Sequence, residues 1–339
     1  TNNAVIPYGV GVDIGCRMAL SVFDIPEQHF FEHRSFYKKE LMALTAFGAG
    51  VGFQGKDRAY HQVLDRKEFD MNNLLRGLKD KAFTQLGSSG GGNHFVEWGI
   101  IDFAENDDVL GVEKGRYLAL LTHSGSRGLG ATLAGHYTRI AKEQCKLPAH
   151  AANLAYLDLN SEAGQEYWLA MNLAGDYASA CHEVIHRKLS KVIGAKLLAK
   201  VENHHNFAWK EMLNGEEVIV HRKGATPAGK GVMGIIPGSM TAPGFLVRGK
   251  GEVSAIHSAS HGAGRQMSRT QANKNVSKAE LKAILQDMGV SLFGGGLDEA
   301  PMAYKDIHKV MASQQELVDV VAKFSPKIVR MADDGSRED

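Results

Sequence analysis

The sequence predicts an α+β fold, with mixed β-sheets flanked by helices in a single domain over residues 1–330. Three observations carry that expectation. Apolar runs at 95–101 and 117–122 have the length and composition of buried strands. Two longer segments, 131–145 and 161–197, repeat apolar residues at helical spacing, which places a helical insertion at about 131–200. No Pro/Ser-rich or low-complexity linker divides the 339 residues, a length that can bury a sizeable core.

Taken in order, residues 1–24 read as a loop followed by a strand, with Val10-Gly-Val-Asp-Ile-Gly-Cys16 leading into apolar 18–23. Residues 27–85 read as mostly helical and polar, including a Lys/Asp/Arg-rich stretch at 67–81. Gly87-Ser-Ser-Gly-Gly-Gly-Asn-His94 holds too much glycine for a helix or a regular strand, and it feeds the strand at 95–101. The strand at 117–122 stops at His123-Ser-Gly-Ser-Arg-Gly128. Breaks near Pro148 and Asp158 interrupt the helical pattern. From 218 to about 251 short strands alternate with glycine turns, and a helix capped by Ser277 follows. The tail from Met331, residues 331–339, is expected to fray.

Hydrophobic content of 44% and charged content of 23% are ordinary for a soluble globular chain. No apolar run is long enough to span a bilayer, and the first residues do not read as a signal peptide. The opening Thr-Asn-Asn-Ala lacks a methionine, so an upstream segment is expected to be missing or processed. Three widely spaced cysteines, Cys16, Cys145 and Cys181, argue against a disulfide framework and for a reducing cytoplasm. A net charge of +1 excludes a chain that attracts nucleic acid as a whole, so any polyanion site must be a local cluster of Arg and Lys.

Fifteen histidines and 38 glycines stand out, because the glycines gather beside histidines. Asp13-Ile-Gly-Cys16, Gly90-Gly-Gly-Asn-His94, His123-Ser-Gly-Ser-Arg127, His204-His-Asn206 and Ser258-Ala-Ser-His261-Gly-Ala-Gly-Arg265 share a form. Each places a His, Cys or Asp on a turn at a strand end; the fourth fits least well, having no glycine. A thiolate, imidazoles and a carboxylate suit a borderline transition metal such as Mn, Zn or Fe. Asp13 and Cys16 are close enough for one tight turn to aim both at one centre. Each residue alone has a plainer reading: a lone cysteine beside a strand is commonly core, and an aspartate commonly caps a turn. The agreement of several segments favours the metal.

His221-Arg-Lys-Gly-Ala-Thr and Pro237-Gly-Ser-Met-Thr-Ala-Pro-Gly-Phe offer cations and turn N–H groups to phosphate, or are simple surface hairpins. Neither is a Walker A loop or a dinucleotide fingerprint. His261, on a glycine turn four residues before Arg265, suits a nucleophile; a general base and a further metal ligand are its rivals.

Eight motifs in order then resemble those of the RtcB RNA ligases, from residue 9 to about 306. They are Gly11-Val-Asp-Ile-Gly-Cys16, Gly90-Gly-Gly-Asn-His-Phe-Val-Glu97, His123-Ser-Gly-Ser-Arg-Gly, His204-His-Asn206, His221-Arg-Lys-Gly-Ala, Pro237-Gly-Ser-Met, Ser260-His-Gly-Ala-Gly-Arg and Asp298-Glu-Ala-Pro-Met-Ala-Tyr-Lys-Asp306. The resemblance implies an RtcB-type fold and two Mn²⁺ ions. Asp13, Cys16 and His94 would hold one ion, and Cys16, His123 and His205 the other, with Cys16 bridging; His205 is preferred to His204 because it directly precedes Asn206. It implies that His261 attacks the α-phosphate of GTP. Asn93, Glu97, Ser239, Gly262, Ala263, Gly264 and Tyr304 would lie around the nucleotide, and Arg127, Lys223, Arg265 and Arg222 would meet RNA and triphosphate oxygens. The implied reaction joins an RNA 3′-phosphate or 2′,3′-cyclic phosphate end to a 5′-hydroxyl, in RNA repair or tRNA splicing. The sequence leaves open whether an activating protein takes part.

Three departures from the family pattern suggest a divergent paralogue. Thr241-Ala-Pro-Gly244 follows the serine-methionine motif where the family continues with glycine and a further nucleotide-holding serine. The chain ends Arg-Glu-Asp instead of Lys-Gly, and the segment that normally precedes Pro7 is absent. A metal-dependent RNA-end phosphoesterase and a non-catalytic RNA-end binder are the alternatives; retained Cys16 and His261 count against the second.

Overall fold

The chain, described over residues 1–333 in a computed structural model, is α+β. A short strand β1 (Ala4–Val5) and one-turn helix α1 (Pro7–Val10) open it. Proline suits that first helical position, since its φ is fixed and an N–H there would go unbonded anyway. An irregular turn leads into β2 (Arg17–Pro26), then helices α2 (Glu27–Glu32), α3 (Arg34–Leu44) and α4 (Asn73–Gln85). The helical expectation for 27–85 therefore holds only at its two ends. Between them, Gly48, Gly50 and Gly55 adopt positive φ, and the chain keeps only short 3-10 turns.

Strands β3 (Phe95–Phe103) and β4 (Gly115–Ser124) follow where the apolar runs predicted them. Helix α5 (Arg127–Gln144) begins four residues before the predicted start at 131. Gly128 and Gly130 disguise that first turn, yet they let it pack close: a Cβ on Gly130 would lie 1.8 Å from Ser126 Oγ. After β5 (Leu157–Asp158) comes the 32-residue α6 (Glu162–Ile193). Ser161 caps its start by accepting the Gly164 N–H, and left-handed Gly194 ends it. The remainder is β6 (Leu197–His204), β7 (Asn206–Leu213), β8 (Glu216–Lys223), β9 (Ala225–Pro227), β10 (Met233–Ile236), β11 (Gly244–Gly249), β12 (Ser258–Ser260), α7 (Arg269–Asn275), α8 (Lys278–Asp287), β13 (Ser291–Phe293), α9 (Ile307–Ala312) and β14 (Val318–Met331). Ser277 caps α8 as expected, in a capping box with Glu280. Met331 is buried and paired with Phe95, so the fraying expected from that residue does not begin there. Residues 334–339 of the expected tail lie outside the described residues.

The main sheet runs β10-β11-β14-β3-β4-β2-β6, each pair antiparallel, with β13 added parallel to β14. Side chains alternate between its faces. Val96, Trp98, Ile100, Leu118 and Leu120 pack on one face beneath Phe30, Tyr37, Leu41, Ile185 and Leu189 of the helices. Ile101, Ala119, Leu121, Met18 and Leu20 turn to the other face, with Ile235 and Leu246. Each fully buried aliphatic side chain contributes roughly 1.5–3 kcal/mol of transfer free energy. A third core, from α4, α5 and α6, closes the helical layer. This alternation decides the site, because it sends Phe95, Glu97, Leu121 and His123 to the face opposite α6. No helix among the described residues is long and apolar enough to cross a membrane.

Candidate metal centre and adjoining cavity

Five donors from four segments converge where β2, β3, β4 and β6 end. Asp13, Cys16, His94, His123 and His205 are all buried. Asp13 Oδ2 lies 3.1 Å from His94 Nε2. Cys16 Sγ lies 3.5 Å from His94 Nε2 and 3.2 Å from His123 Nε2. His123 Nε2 is in turn 3.2 Å from His205 Nε2. The thiol therefore stands between two donor groups, Asp13 with His94 on one side and His123 with His205 on the other. His204, the rejected alternative, points elsewhere and stacks on Trp209, with ring centroids 5.0 Å apart.

The backbone makes this convergence possible. The Ser126 N–H donates to Asp13 Oδ1 at 2.9 Å, and Gly125 must be glycine because a Cβ there would fall 1.9 Å from the same carboxylate. Asn206 ties two parts of the rim: its Nδ2 donates to Asp13 O at 3.4 Å, and its Oδ1 accepts the Gly224 N–H at 2.9 Å. His123 Nδ1–H donates to the Asn93 carbonyl at 3.2 Å, which fixes the tautomer and leaves the Nε2 lone pair facing the cluster.

Electrostatics keep Asp13, His123 and His205 in ligand form. Burial, reinforced by His94, pushes His123 down to about 3. His205 is held well below the ordinary imidazole value, chiefly by burial. Burial would raise Asp13, but the His94 hydrogen bond and charge override it and leave the carboxyl below its usual value. Donor atoms of the imidazoles, the thiol and the carboxylate crowded within 3.1–3.5 Å repel unless a proton or cation lies among them. The donor set fits a soft-to-borderline divalent ion.

A cavity of about 250 Å³ opens beside this cluster. His123 and His261 form its inner edge, and the His261 ring centroid lies 5.2 Å from that of His205. Burial lowers the His261 pKa, against a raising hydrogen bond to the Gly224 backbone, so its ring is neutral near pH 7. Asn93, Glu97, Ser239, Gly262, Ala263, Gly264, Arg265 and Tyr304, predicted from separate motifs, all line this one cavity. Its floor is apolar, from Phe95, Leu121, Val329 and Met331, and Glu97 stands in that floor only 5% exposed. No hydrogen bond or ion pair reaches the Glu97 carboxyl among the described residues, and burial raises its pKa well above the usual carboxylate range.

A family profile described as tRNA-splicing ligase RtcB matches residues 1–332. The chain belongs to the RtcB family. It is 32% identical to the RNA-splicing ligase RtcB of Escherichia coli (strain K12), over 95% of this chain and 82% of that protein. It is 29% identical to the tRNA-splicing ligase RtcB of Nanoarchaeum equitans (strain Kin4-M), over 97% and 82%. With the RNA-splicing ligase RtcB of Mycobacterium bovis the identity is 27%, over 96% and 89%.

Within this RtcB chain the four cations expected at RNA or triphosphate are placed differently from the rest. Arg127 is fully buried; it donates to Ser88 Oγ at 3.1 Å and to Gly48 O at 2.9 Å. Its φ is +56°, a left-handed conformation that costs a non-glycine residue about 1–3 kcal/mol. Arg222 is 3% exposed, ion-paired to Glu211 and lying over Trp209. It also donates to the Ile256 and His257 carbonyls, and so braces the left-handed turn ahead of β12 and His261. Arg265 bonds Glu299, Asp298 O and Met267 O and covers the Tyr304 ring. Only Lys223 of the four is exposed.

Several residues of the site were not singled out from sequence. Glu299 receives bonds from Arg265, Arg269 and the Tyr304 hydroxyl, so it sets one wall of the cavity. Its motif was visible, but nothing in the motif says which carboxylate turns inward. Asn206 and Ser126 also sat inside quoted motifs, with no local signal that they hold Asp13.

Proposed function

We propose that this protein is an RNA ligase that joins a 3′-phosphate or 2′,3′-cyclic phosphate end to a 5′-hydroxyl through a guanylylated His261. One observation carries the reading above all. A neutral histidine stands at the meeting point of a five-donor cluster and a cavity whose apolar floor holds the buried Glu97 carboxyl, unpartnered among the described residues. Family membership supports the same reaction class.

Asp13, Cys16 and His94 would hold one Mn²⁺, and Cys16, His123 and His205 a second. Bound there, the ions supply Lewis-acid charge for phosphate oxygens. The chain's own residues do the rest. GTP enters the cavity with its base over the apolar floor, where the Glu97 carboxyl accepts from the N–H edge that guanine presents. Tyr304 and Ser239 flank it, and Asn93, which lines the cavity beside His261, would donate its Nδ2–H to an α-phosphate oxygen. The His261 lone pair attacks the α-phosphorus, the bond to the bridging oxygen breaks, and pyrophosphate leaves. Where the RNA end is a 2′,3′-cyclic phosphate, water first opens the P–O2′ bond to leave a 2′-hydroxyl and a 3′-phosphate; a 3′-phosphate oxygen then displaces His261 and takes the GMP. A 5′-hydroxyl attacks that activated phosphate, loses its proton and releases GMP as the new linkage forms.

The reading places the protein in a reducing, cytoplasmic setting, where the Cys16 thiol stays available as a ligand. The test is to incubate purified protein with Mn²⁺ and α-labelled GTP. Acid-labile, alkali-stable label that disappears in His261→Ala is expected. Label retained in that variant moves the nucleophile elsewhere. Absence of label from any nucleotide, with metal bound, moves the reading to a phosphoesterase or a binder.

A further inference from the structure

Three of the four cations expected to meet RNA are already engaged. Arg127 is buried on Ser88 and Gly48, Arg222 on Glu211, and Arg265 on Glu299 and Asp298 O. Lys223 alone presents an exposed ammonium near the metal centre, and its setting is specific. It ends β8, one residue before Gly224, whose amide bonds Asn206 and the His205 carbonyl. A Cβ on Gly224 would lie 3.3 Å from the His261 ring. Neither Lys223 nor Gly224 lines the nucleotide cavity, so His261 stands between that cavity and this rim.

The partner of Lys223 is Tyr8. The ammonium sits 3.7 Å from the tyrosine ring centroid and donates to the Tyr8 carbonyl at 3.1 Å. Tyr8 is 41% exposed although it belongs to the segment running directly into Asp13 and Cys16. That position is anchored, since the Ile6 N–H ahead of it donates to His221 Nε2 at 2.9 Å. Val12, 55% exposed, extends the apolar rim toward Asp13.

Resting on the ligase reading, we infer that Tyr8 and Lys223 form a docking position for a nucleotide of the RNA end, the base stacking on the Tyr8 ring and a phosphate meeting the Lys223 ammonium. Both halves of a nucleotide find a complement there: an exposed aromatic ring on an anchored backbone, and a cation held over one of its faces, which leaves the other face for the base. Stacking suits every base, so the pair gives grip without sequence preference. The chain's near-neutral charge makes such local contacts necessary, because long-range attraction is weak.

The test uses Tyr8→Ala, Tyr8→Phe and Lys223→Gln in the metal-loaded protein, with a short single-stranded RNA carrying a 3′-phosphate. Tyr8→Ala is expected to raise the KM for that RNA on the order of tenfold, with kcat changed far less, and Tyr8→Phe to restore it. Lys223→Gln is expected to weaken RNA binding and to reduce the slope of log K against log salt by about one. GTP labelling of His261, read in the same variants, isolates the nucleotide step. A wild-type KM in Tyr8→Ala, with labelling intact, overturns the inference. If the wild type takes no label, the ligase reading fails separately, and RNA affinity by fluorescence anisotropy decides the docking pair: tenfold weaker binding in Tyr8→Ala sustains it, unchanged binding removes it. The same oligonucleotide in DNA form separates a nucleotide platform from one that also needs the 2′-hydroxyl.

Discussion

The two faces of the main sheet treat their buried histidines in opposite ways. On the helix face, Thr122 and Ser124 of β4 meet His182 and His186 of α6. A carbonyl can only accept, so His182 donates from Nε2 to Ser124 O at 3.1 Å and accepts at Nδ1 from the Thr122 hydroxyl at 2.5 Å. That hydroxyl accepts from His186 Nε2–H at 2.9 Å, and His186 Nδ1 accepts from Ser21 Oγ–H at 2.7 Å. Burial keeps both rings neutral, His186 pushed down to about 3 and His182 well below the usual value. Two histidines four apart on a helix could grip a metal, but the Thr122 hydroxyl already fills their meeting point. One residue along β4, on the opposite face, His123 meets a thiol and another imidazole instead, while His205 Nδ1 and Asn93 Oδ1 have no hydrogen-bond partner among the described residues. The histidines that the fold completes are structural, and those whose open atoms gather around a thiol and a carboxylate await a ligand.

The comparison is broken most severely at Cys16. If the open face is a metal site, Cys16→Ala removes the shared thiolate and abolishes both metal uptake and His261 labelling. The loss should exceed the 10–100-fold that outer partners of a metal typically cost. Metal content by elemental analysis, beside labelling, checks it, and a metal-replete active variant excludes bridging. Glu97→Leu separates function from stability on the same face. Loss of the floor acceptor should raise the KM for GTP on the order of 10–100-fold. Removing an unpaired buried carboxyl should also raise the stability of the ligand-free protein by about 1–3 kcal/mol in denaturant unfolding. A destabilised variant with normal GTP use would make Glu97 an ordinary core partner.

Strands β2, β3 and β4 were legible because each is a short apolar run beside a glycine turn, and the donors because they sit at those turns; β6 and β14, which complete the sheet, were not singled out. Once the strands are placed, alternation puts Glu97 and His123 on one face and Thr122 on the other. What could not be read was the commitment of the arginines. Arg127 stands beside glycines and a histidine in sequence, as a phosphate ligand would, but its partner Gly48 is 79 residues away. The irregular course of 45–72 was hidden in a polar stretch that resembles an exposed helix. The His182–Thr122–His186 chain was also invisible, since only the packing of α6 on β4 creates it.

The completed His182–Thr122–His186 chain should respond to mutation in the reverse sense. His182→Leu leaves the Thr122 hydroxyl and the Ser124 carbonyl short of a partner and should cost about 1–3 kcal/mol of stability. Metal content should not change. Metal lost in proportion to stability would mean that the two faces are not separable.

The smallest effect expected is one of pH. The folded pKa of His186, about 3, lies below the ordinary 6.5, so between those values the unfolded chain binds a proton that the folded chain refuses. Its contribution is therefore complete above about pH 6.5 and is lost as pH falls toward 3, amounting to about 2 kcal/mol by pH 5. His186→Gln retains a polar group on α6 and cannot titrate. Its unfolding free energy, even if lower at pH 7, should fall less steeply than that of the wild type between pH 7 and 5. Parallel curves would assign the acid sensitivity to another group and deprive the helix face of its titrating member.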